Sequence, residues 1–267
     1  MLNPRWRKAV AGVAAALMLC PVTAQAATVE VDGVPLSGEE GWGYDGTSYV
    51  TLRALSGAGD YTLTWDGRRA ILTGEGMELV AVPGACYIEV NGRTLYVSEG
   101  VGVMNGRTYL PMWVVANATG GALSWDGERS VAGLELEGAI APVADYDEQG
   151  LYWLSRIISA ESRGEPMVGQ IAVGNVVLNR VAHERYPDTI REVVFDTNHG
   201  VQFEPVSNGT VFDEPADSSL LAAKMVLEGA GVVEDCIYFY APALSPGTWI
   251  NRNAEYYTTI GCHRFYR

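Results

Sequence analysis

An internal duplication constrains the fold of the first half of the chain. Gly46–Val50 (GTSYV) recurs as Gly106–Leu110 (GRTYL), and Leu63–Gly67 (LTWDG) recurs as Leu123–Gly127 (LSWDG). A fixed offset of 60 residues separates the members of both pairs, which indicates a duplicated supersecondary unit. Asp-Gly dipeptides favour tight hairpins, and the flanking Tyr, Val, Leu and Thr residues favour strands. Residues 27–137 are therefore predicted to form a small β-rich module of two similar halves.

Each half of the module also contains a short apolar segment and a tryptophan. Leu52–Leu55 and Met112–Ala116 are predicted to be short helices. Trp65 and Trp125 each precede an Asp-Gly turn. An exposed indole could stack on a sugar ring, but a tryptophan at a repeated turn is more often a core residue. Burial of both indoles is the expectation.

The doubled Tyr-Val/Leu…Trp-Asp-Gly pattern resembles the copper amine oxidase N-terminal domain over about residues 28–137. The resemblance implies an accessory module, which leaves open a wall or protein partner for it. No copper site is predicted, because this region contains no His and a single Cys.

The first 26 residues have the features of a signal peptide. Basic residues at 5–8 precede an apolar run at 9–19 that is short for a membrane span, and a small-x-small cleavage site ends at Ala26. Lipidation at Cys20 is disfavoured because Leu19 is bulky, and an uncleaved anchor is the alternative. We therefore expect a secreted protein that acts outside the cytoplasm, at the cell wall.

Charge narrows the range of partners. The chain carries 18 basic and 32 acidic residues, and removal of the signal peptide would take away three basic ones. A nucleic-acid binder needs a basic face, so nucleic acid is excluded as a partner. The same excess argues against an anionic membrane surface. No transmembrane span is predicted in the mature chain, since no second apolar stretch is long enough.

The hydrophobic pattern changes after residues 138–149, which are predicted to be a linker. Leu154, Ile158 and Glu161 share one face of a predicted helix, and Gly164 is expected to end it in a left-handed conformation. A second, strongly apolar helix is predicted to begin with Pro166 in its first turn, and a third is predicted at Ser218–Ala230. Strands are predicted at Cys236–Tyr240 and His263–Tyr266. Residues 150–267 are therefore predicted to form an α+β domain.

Glu161 is the informative residue of the first of these helices. A carboxyl group on the apolar face of a last turn is desolvated and lies near the negative end of the helix, and both effects favour its protonated form. A carboxyl group with a raised pKa can act as the acid of a glycosidase. The alternative is a structural ion pair with Arg163 or Arg156.

Three motifs carry a second resemblance: Ala160–Pro166 (AESRGEP), Gly169–Val181 (GQIAVGNVVLNRV) and Gln202–Val206 (QFEPV). Over residues 150–267 the chain resembles the SleB-type spore-cortex-lytic cell-wall hydrolases. The resemblance implies a lysozyme-like fold with Glu161 as catalytic acid. It also implies lytic transglycosylase cleavage of peptidoglycan glycan strands between N-acetylmuramic acid and N-acetylglucosamine, in vegetative wall or spore cortex.

A lytic transglycosylase can act with one carboxyl group, because the muramyl 6-hydroxyl replaces water and closes a 1,6-anhydro ring. A hydrolase needs a second carboxylate, and Glu204 is the one that the pattern leaves open. An inactive wall-binding or assembly protein is a further alternative. No cofactor or metal is predicted, because His183, His199 and His263 lack the spacing of a zinc site.

The same resemblance implies residues that contact or support the substrate. Amides suit sugar hydroxyl or acetamido groups, and aromatic rings suit sugar faces, although each of these residues also has a structural alternative. The predicted substrate-binding residues are Gln202, Phe203, Asn208, Tyr240 and Trp249. Arg163 and Glu204 are predicted to support Glu161.

Two cysteines depart from the family pattern. Cys236 and Cys262 each begin a predicted strand, and the two strands are expected to be neighbours. Because export permits disulfides, we expect these residues to form one, leaving Cys86 buried and free.

Overall fold

The computed structural model of the chain describes residues 28–198 and 202–267. They fall into two compact units that meet in sequence between residues 144 and 145. The predicted signal peptide and His199 lie outside the described residues. No helix in the described ranges is long and apolar enough to cross a membrane.

The described residues of the first unit are β-rich, as predicted, and include two short helices. Its helices are α1 (Leu52–Ala58) and α2 (Met112–Thr119), which confirms both predicted segments. Its strands are β1 (Thr28–Val31), β2 (Val34–Pro35), β3 (Gly41–Tyr44), β4 (Thr47–Thr51), β5 (Thr62–Trp65), β6 (Ala70–Gly74), β7 (Met77–Ala81), β8 (Tyr87–Val90), β9 (Arg93–Tyr96), β10 (Gly102–Met104), β11 (Arg107–Pro111), β12 (Ala122–Asp126) and β13 (Val131–Glu135).

The duplication is visible in the topology of this unit. The hairpin β3–β4, helix α1 and hairpin β5–β6 correspond to β10–β11, α2 and β12–β13. Both β3–β4 and β10–β11 turn through two residues with positive φ, as a type I′ turn requires. The halves meet in one sheet of order β10-β11-β4-β3, where the equivalent residues Val50 and Leu110 face each other. Both side chains are fully buried, so the strand pair where the two halves meet also contributes to the hydrophobic core.

The two repeated tryptophans are exposed, so their predicted burial is wrong. Trp65 and Trp125 expose 57% and 61% of their surface to solvent. The physical reason is that β5 and β12 are edge strands of their sheets, where one flank has no neighbour. Cys86 is unpaired, as predicted, but is only half-buried.

The second unit combines helices with a three-stranded antiparallel sheet, which confirms the predicted α+β class. Its helices are α3 (Glu148–Ser162), α4 (Met167–Ala182), α5 (Ile190–Val194), α6 (Glu204–Asn208), α7 (Asp217–Leu227) and α8 (Ile250–Asn253), with a 3-10 turn at Thr210–Phe212. Its strands are β14 (Tyr238–Tyr240), β15 (Tyr256–Ile260) and β16 (His263–Tyr266), in the order β14-β16-β15.

Helices α3, α4 and α7 pack closely around Gly174. A Cβ at this position would lie 2.8 Å from a side-chain atom of Ile158 on α3 and 2.9 Å from one of Val226 on α7. The Asp147 side chain caps α3 by accepting a hydrogen bond from the Gly150 N–H at 2.9 Å. This three-helix core fixes the end of α3, where Glu161 lies.

Two helix ends differ from prediction. Helix α3 ends at Ser162, and its cap, Arg163, is right-handed; Gly164 does not supply the expected left-handed conformation. Helix α7 ends three residues early because Gly229 adopts φ +95°. The Gly229 N–H then donates to the Val226 carbonyl, and the next N–H donates to Met225.

The predicted disulfide between Cys236 and Cys262 is wrong. The two residues precede β14 and β16, which pair antiparallel, so their starts lie at opposite ends of the sheet. The four residues of β16 extend about 10 Å, whereas the Cα atoms of a disulfide lie within about 7 Å. All three cysteines in the described part of the chain are unpaired.

Candidate active site

Glu161 lies in the last turn of α3 and is half-buried. Burial raises its pKa from an ordinary value of 4.5 to about 7. The negative charge of Glu204 acts in the same direction, and the positive charge of Arg180 opposes it. Glu161 is therefore a mixture of acid and carboxylate at neutral pH, and it can give and take a proton.

The two arginines predicted as alternative ion-pair partners of Glu161 lie in different settings. Arg156 is buried and pairs with Glu214 at 2.6 Å. Arg163 is exposed at the helix cap. Among the described residues, neither Arg156 nor Arg163 forms an ion pair with Glu161. The alternative prediction, a structural ion pair, is therefore not supported.

Glu204 is the second carboxylate of the site. It is exposed in the first turn of α6, where the helix dipole favours a negative charge. Its negative charge is near enough to Glu161 to help raise the pKa of that carboxyl group. The exposed position contrasts with the half-buried one of Glu161.

Arg180, on α4, is a site residue that sequence reasoning missed. Only 4% of its surface is exposed, and its Nε donates to the Ile237 carbonyl at 2.8 Å. The guanidinium lies 5.3 Å from the centre of the Tyr186 ring and 5.0 Å from that of Phe203. The available signal was a charged residue within an apolar helix, but this helix was predicted to be part of the hydrophobic core.

An aromatic row leads from Arg180 to the surface. Burial raises the pKa of Tyr186 to about 12, and the neighbouring Tyr238 hydroxyl acts in the same direction. The Tyr238 ring meets Trp249 edge to face, with ring centres 5.6 Å apart. Trp249 exposes 57% of its surface. Of the predicted aromatic binding residues, Trp249 has a ring free to meet a sugar.

Phe203 and Tyr240 do not have the exposure that their predicted roles require. Phe203 is 1% exposed and packs between Arg180 and Phe239. Tyr240 is 9% exposed, stacks on Tyr266 and hydrogen-bonds to Asn251. Both are core residues, and their predicted substrate contacts are corrected accordingly.

The predicted amide residues differ in their surroundings. Asn208 is exposed at the end of α6, and its Oδ1 accepts hydrogen bonds from the Thr210 N–H at 3.0 Å and the Thr210 hydroxyl at 2.7 Å. Its oxygen therefore shapes a turn. Gln202 is half-buried just before α6.

Glu165, the second glutamate of the AESRGEP motif, has a structural role. Its Oε2 accepts a hydrogen bond from the Cys262 N–H at 2.8 Å, which ties the β15–β16 hairpin to the start of α4. His263 beside it is buried against Phe239. In the described part of the chain, no three His, Cys, Asp or Glu side chains are grouped to hold a metal.

Comparison with known families defines the class of each unit. Residues 164–266 match the family described as Cell Wall Hydrolase, and residues 30–132 match the Copper amine oxidase N-terminal domain. Both resemblances inferred from the motifs are confirmed. The first match begins at residue 164, two residues after the end of α3, so it does not include Glu161. The second unit is thus similar to cell wall hydrolases, and the first is similar to the copper amine oxidase N-terminal domain.

The particular relatives are spore cortex-lytic enzymes. The chain is 29% identical to that of Bacillus cereus over 105 residues, 39% of each chain. It is 30% identical to that of Oceanobacillus iheyensis over 105 residues, 39% of this chain and 37% of the relative. The chain thus spans about two fifths of the length of these relatives.

Two solved structures are also similar to the chain. The catalytic domain of the germination-specific lytic transglycosylase SleB from Bacillus anthracis is 27% identical, with a TM-score of 0.43 over 47% of this chain and 100% of that one. The catalytic domain of Bacillus cereus SleB is 28% identical, with a TM-score of 0.42 over 46% and 93%.

Proposed function

We propose that the protein cleaves peptidoglycan glycan strands between N-acetylmuramic acid and N-acetylglucosamine as a lytic transglycosylase, in cell-wall or spore-cortex remodelling. The observation that carries the proposal is the half-buried Glu161, whose pKa of about 7 leaves a large protonated fraction at neutral pH. A general acid is most effective when its pKa lies near the working pH.

Glu161 acts twice in the proposed reaction. The protonated carboxyl group gives its proton to the glycosidic oxygen, and the bond from that oxygen to the muramyl C1 breaks. The resulting carboxylate then takes the proton of the muramyl 6-hydroxyl, whose oxygen bonds to C1 and closes the 1,6-anhydro ring. Glu161 ends protonated, and no water is consumed.

A second candidate, hydrolysis, is favoured by one observation. The negative charge of Glu204 is near enough to Glu161 to help raise its pKa, and a second carboxylate can activate water. We favour the transglycosylase because it needs a single carboxyl group that both gives and takes a proton, and Glu161, with its pKa raised to about 7, suits both steps.

Binding and location complete the proposal. Trp249 offers the sugar-stacking surface, supported from behind by Tyr238, while Gln202 and Asn208 contribute polar contacts beside Glu204. The chain is exported, with a signal peptide at residues 1–26, and acts outside the cytoplasm. The N-terminal module serves the wall-associated enzyme as an accessory domain.

The products of digestion test the reaction. Purified peptidoglycan is digested with wild-type protein, Glu161→Gln, Glu204→Gln and the matched control Glu148→Gln, an exposed glutamate at the other end of α3. Mass spectrometry should find 1,6-anhydromuramyl ends with wild type, with Glu204→Gln and with the control, and none with Glu161→Gln. New reducing ends that disappear in Glu204→Gln would establish the hydrolase instead.

A further inference from the structure

Trp65 and Trp125 are large apolar side chains that the first unit leaves mostly in solvent. An exposed indole forgoes the burial of apolar surface that stabilises a fold. Trp42, in the same unit, packs edge to face against Tyr109 with ring centres 4.9 Å apart. Among the described residues, no aromatic ring holds Trp65 or Trp125 in this way. The core of the unit therefore makes little use of either indole.

The same local geometry surrounds both indoles. Trp65 faces Ala70 across β5 and β6, and Trp125 faces Ala132 across β12 and β13. Residues paired across antiparallel strands lie on the same face of the sheet, and the methyl group of an alanine is too small to cover an indole. Because β5 and β12 are edge strands, neither ring has a neighbouring strand on its other flank. The duplication has thus produced two exposed aromatic surfaces of the same construction.

The turn that follows each tryptophan is tied by its own aspartate. The Asp66 Oδ1 accepts hydrogen bonds from the backbone N–H groups two and three residues later, at 3.0 and 2.7 Å. The Asp126 Oδ1 accepts the equivalent two bonds, both at 3.0 Å. An aspartate that binds its own turn restricts the backbone. A ligand that contacts either indole would therefore lose little affinity to ordering of the turn.

The charge of the first unit narrows the class of ligand. Residues 28–137 carry 15 acidic residues and six arginines. An acidic surface repels anionic polymers, whereas a sugar ring stacks on an indole through its apolar C–H face and needs no charge. The combination of exposed indoles and acidic surroundings favours an uncharged N-acetylated glycan over an anionic wall polymer.

We propose that Trp65 and Trp125 form two equivalent glycan-binding sites, each stacking on an N-acetylhexosamine ring of a peptidoglycan strand. The choice of ligand rests on the proposed function, since the second unit is proposed to cleave the same strands. Each site offers a single exposed ring and binds weakly alone. Two sites on one chain hold the enzyme on the wall more tightly than either does separately.

The test measures binding of the full chain to purified peptidoglycan from which anionic polymers have been removed. Every protein also carries Glu161→Gln and Trp249→Ala, which remove cleavage and the proposed sugar-stacking surface of the second unit. Trp65→Ala and Trp125→Ala should each raise the Kd by about 3- to 10-fold, and the double variant by at least about 30-fold. Tetra-N-acetylchitotetraose should displace the protein that retains both tryptophans, and poly(glycerol phosphate) should not.

Trp113→Ala is the matched control, because Trp113 is an exposed tryptophan of the same unit that lies on α2, outside the repeated turns. Its Kd should not change. If an alanine variant does not fold, tyrosine at both positions keeps a ring and should bind within about threefold of the parent.

Three results would overturn the inference. One is binding that the double variant retains or that Trp113→Ala loses equally. Another is displacement by poly(glycerol phosphate) but not by the tetrasaccharide. The third is a dimer, seen by sedimentation without glycan, that dissociates in the double variant, because it would assign the rings to a second copy of the chain. Cleavage of peptidoglycan by Glu161→Gln at the wild-type rate would instead overturn the proposed function.

Discussion

Glu161 combines a chemical advantage with a cost in stability. The burial that raises its pKa to about 7 disfavours its ionised form in the folded protein. In the unfolded chain this group ionises near pH 4.5. Functional groups are often held in such unfavourable states by the surrounding structure.

The stability of the protein should therefore depend on Glu161 in a defined pH window. The folded state keeps a proton that the unfolded chain releases, so the stabilising contribution is complete below pH 4.5 and is lost as pH rises through 7. Above pH 7, the free energy of unfolding of Glu161→Gln should be about 1 to 3 kcal/mol larger than that of wild type, allowing for partial solvent screening. Denaturant unfolding of both proteins at pH 4.5 and pH 8 measures this. A difference in free energy of unfolding between the two proteins that is the same at both pH values would disprove the prediction.

Sequence reasoning placed some single residues well and others badly. Glu161 was found because its position on an apolar helical face is readable from spacing alone. Arg180 was not, because its contacts with Ile237, Tyr186 and Phe203 come from three separate segments. Phe203 was taken for a surface residue because its loop motif shows chemistry but not burial.

At the scale of elements, the Asn251 side chain ties the segment that carries Trp249 to the sheet. Asn251 accepts a hydrogen bond from the Tyr266 hydroxyl at 2.7 Å and donates to the Tyr240 hydroxyl at 2.9 Å and the Pro246 carbonyl at 3.1 Å. These bonds join helix α8 to strands β14 and β16. They fix the segment that presents Trp249.

Loosening this loop should weaken substrate binding more than catalysis. Trp249→Ala should raise KM about tenfold by removing a stacking surface, and Asn251→Ala should raise it by less, while kcat changes by under about threefold. Arg252→Gln, an exposed neighbour in α8, is the control and should bind normally. Steady-state kinetics on soluble glycan strands would refute the prediction if kcat fell and KM did not change.

The strand arrangement makes a separate prediction about thiols. Cys262 is exposed at the β15–β16 turn and Cys236 is buried beside β14. In the native protein, without reductant, an alkylating reagent should modify Cys262 within minutes and Cys236 only after unfolding. Peptide mapping gives the result, and a Cys236–Cys262 disulfide peptide would contradict the strand order. Spacing predicted both strands but could not give their relative direction.

At the scale of the whole molecule, the chain joins two units that different sequence signals predicted. The duplication predicted the first unit well, since the paired halves and both short helices follow the repeat. It did not predict exposed tryptophans, because edge positions depend on sheet order rather than on period. The α+β class of the second unit followed from the change in hydrophobic pattern.

Separate cores predict that the second unit can work by itself. Residues 145–267 contain Glu161, Glu204, Arg180 and Trp249, and form a compact unit. Expressed without the first unit, this segment should fold cooperatively and cleave soluble glycan strands with kcat within about threefold of the full chain. Circular dichroism and the same cleavage assay test this, and a folded but inactive segment would show that the first unit contributes to the site.

The central claim is that the protonated carboxyl group of Glu161 drives cleavage. The most direct measurement is the pH dependence of kcat/KM on soluble glycan strands for wild type and Glu161→Gln. Wild-type activity should fall with an alkaline limb near pH 7, where Glu161 loses its proton, and Glu161→Gln should be inactive throughout. Wild-type activity that is undiminished at pH 9, or a Gln variant that cleaves at the wild-type rate, would contradict it.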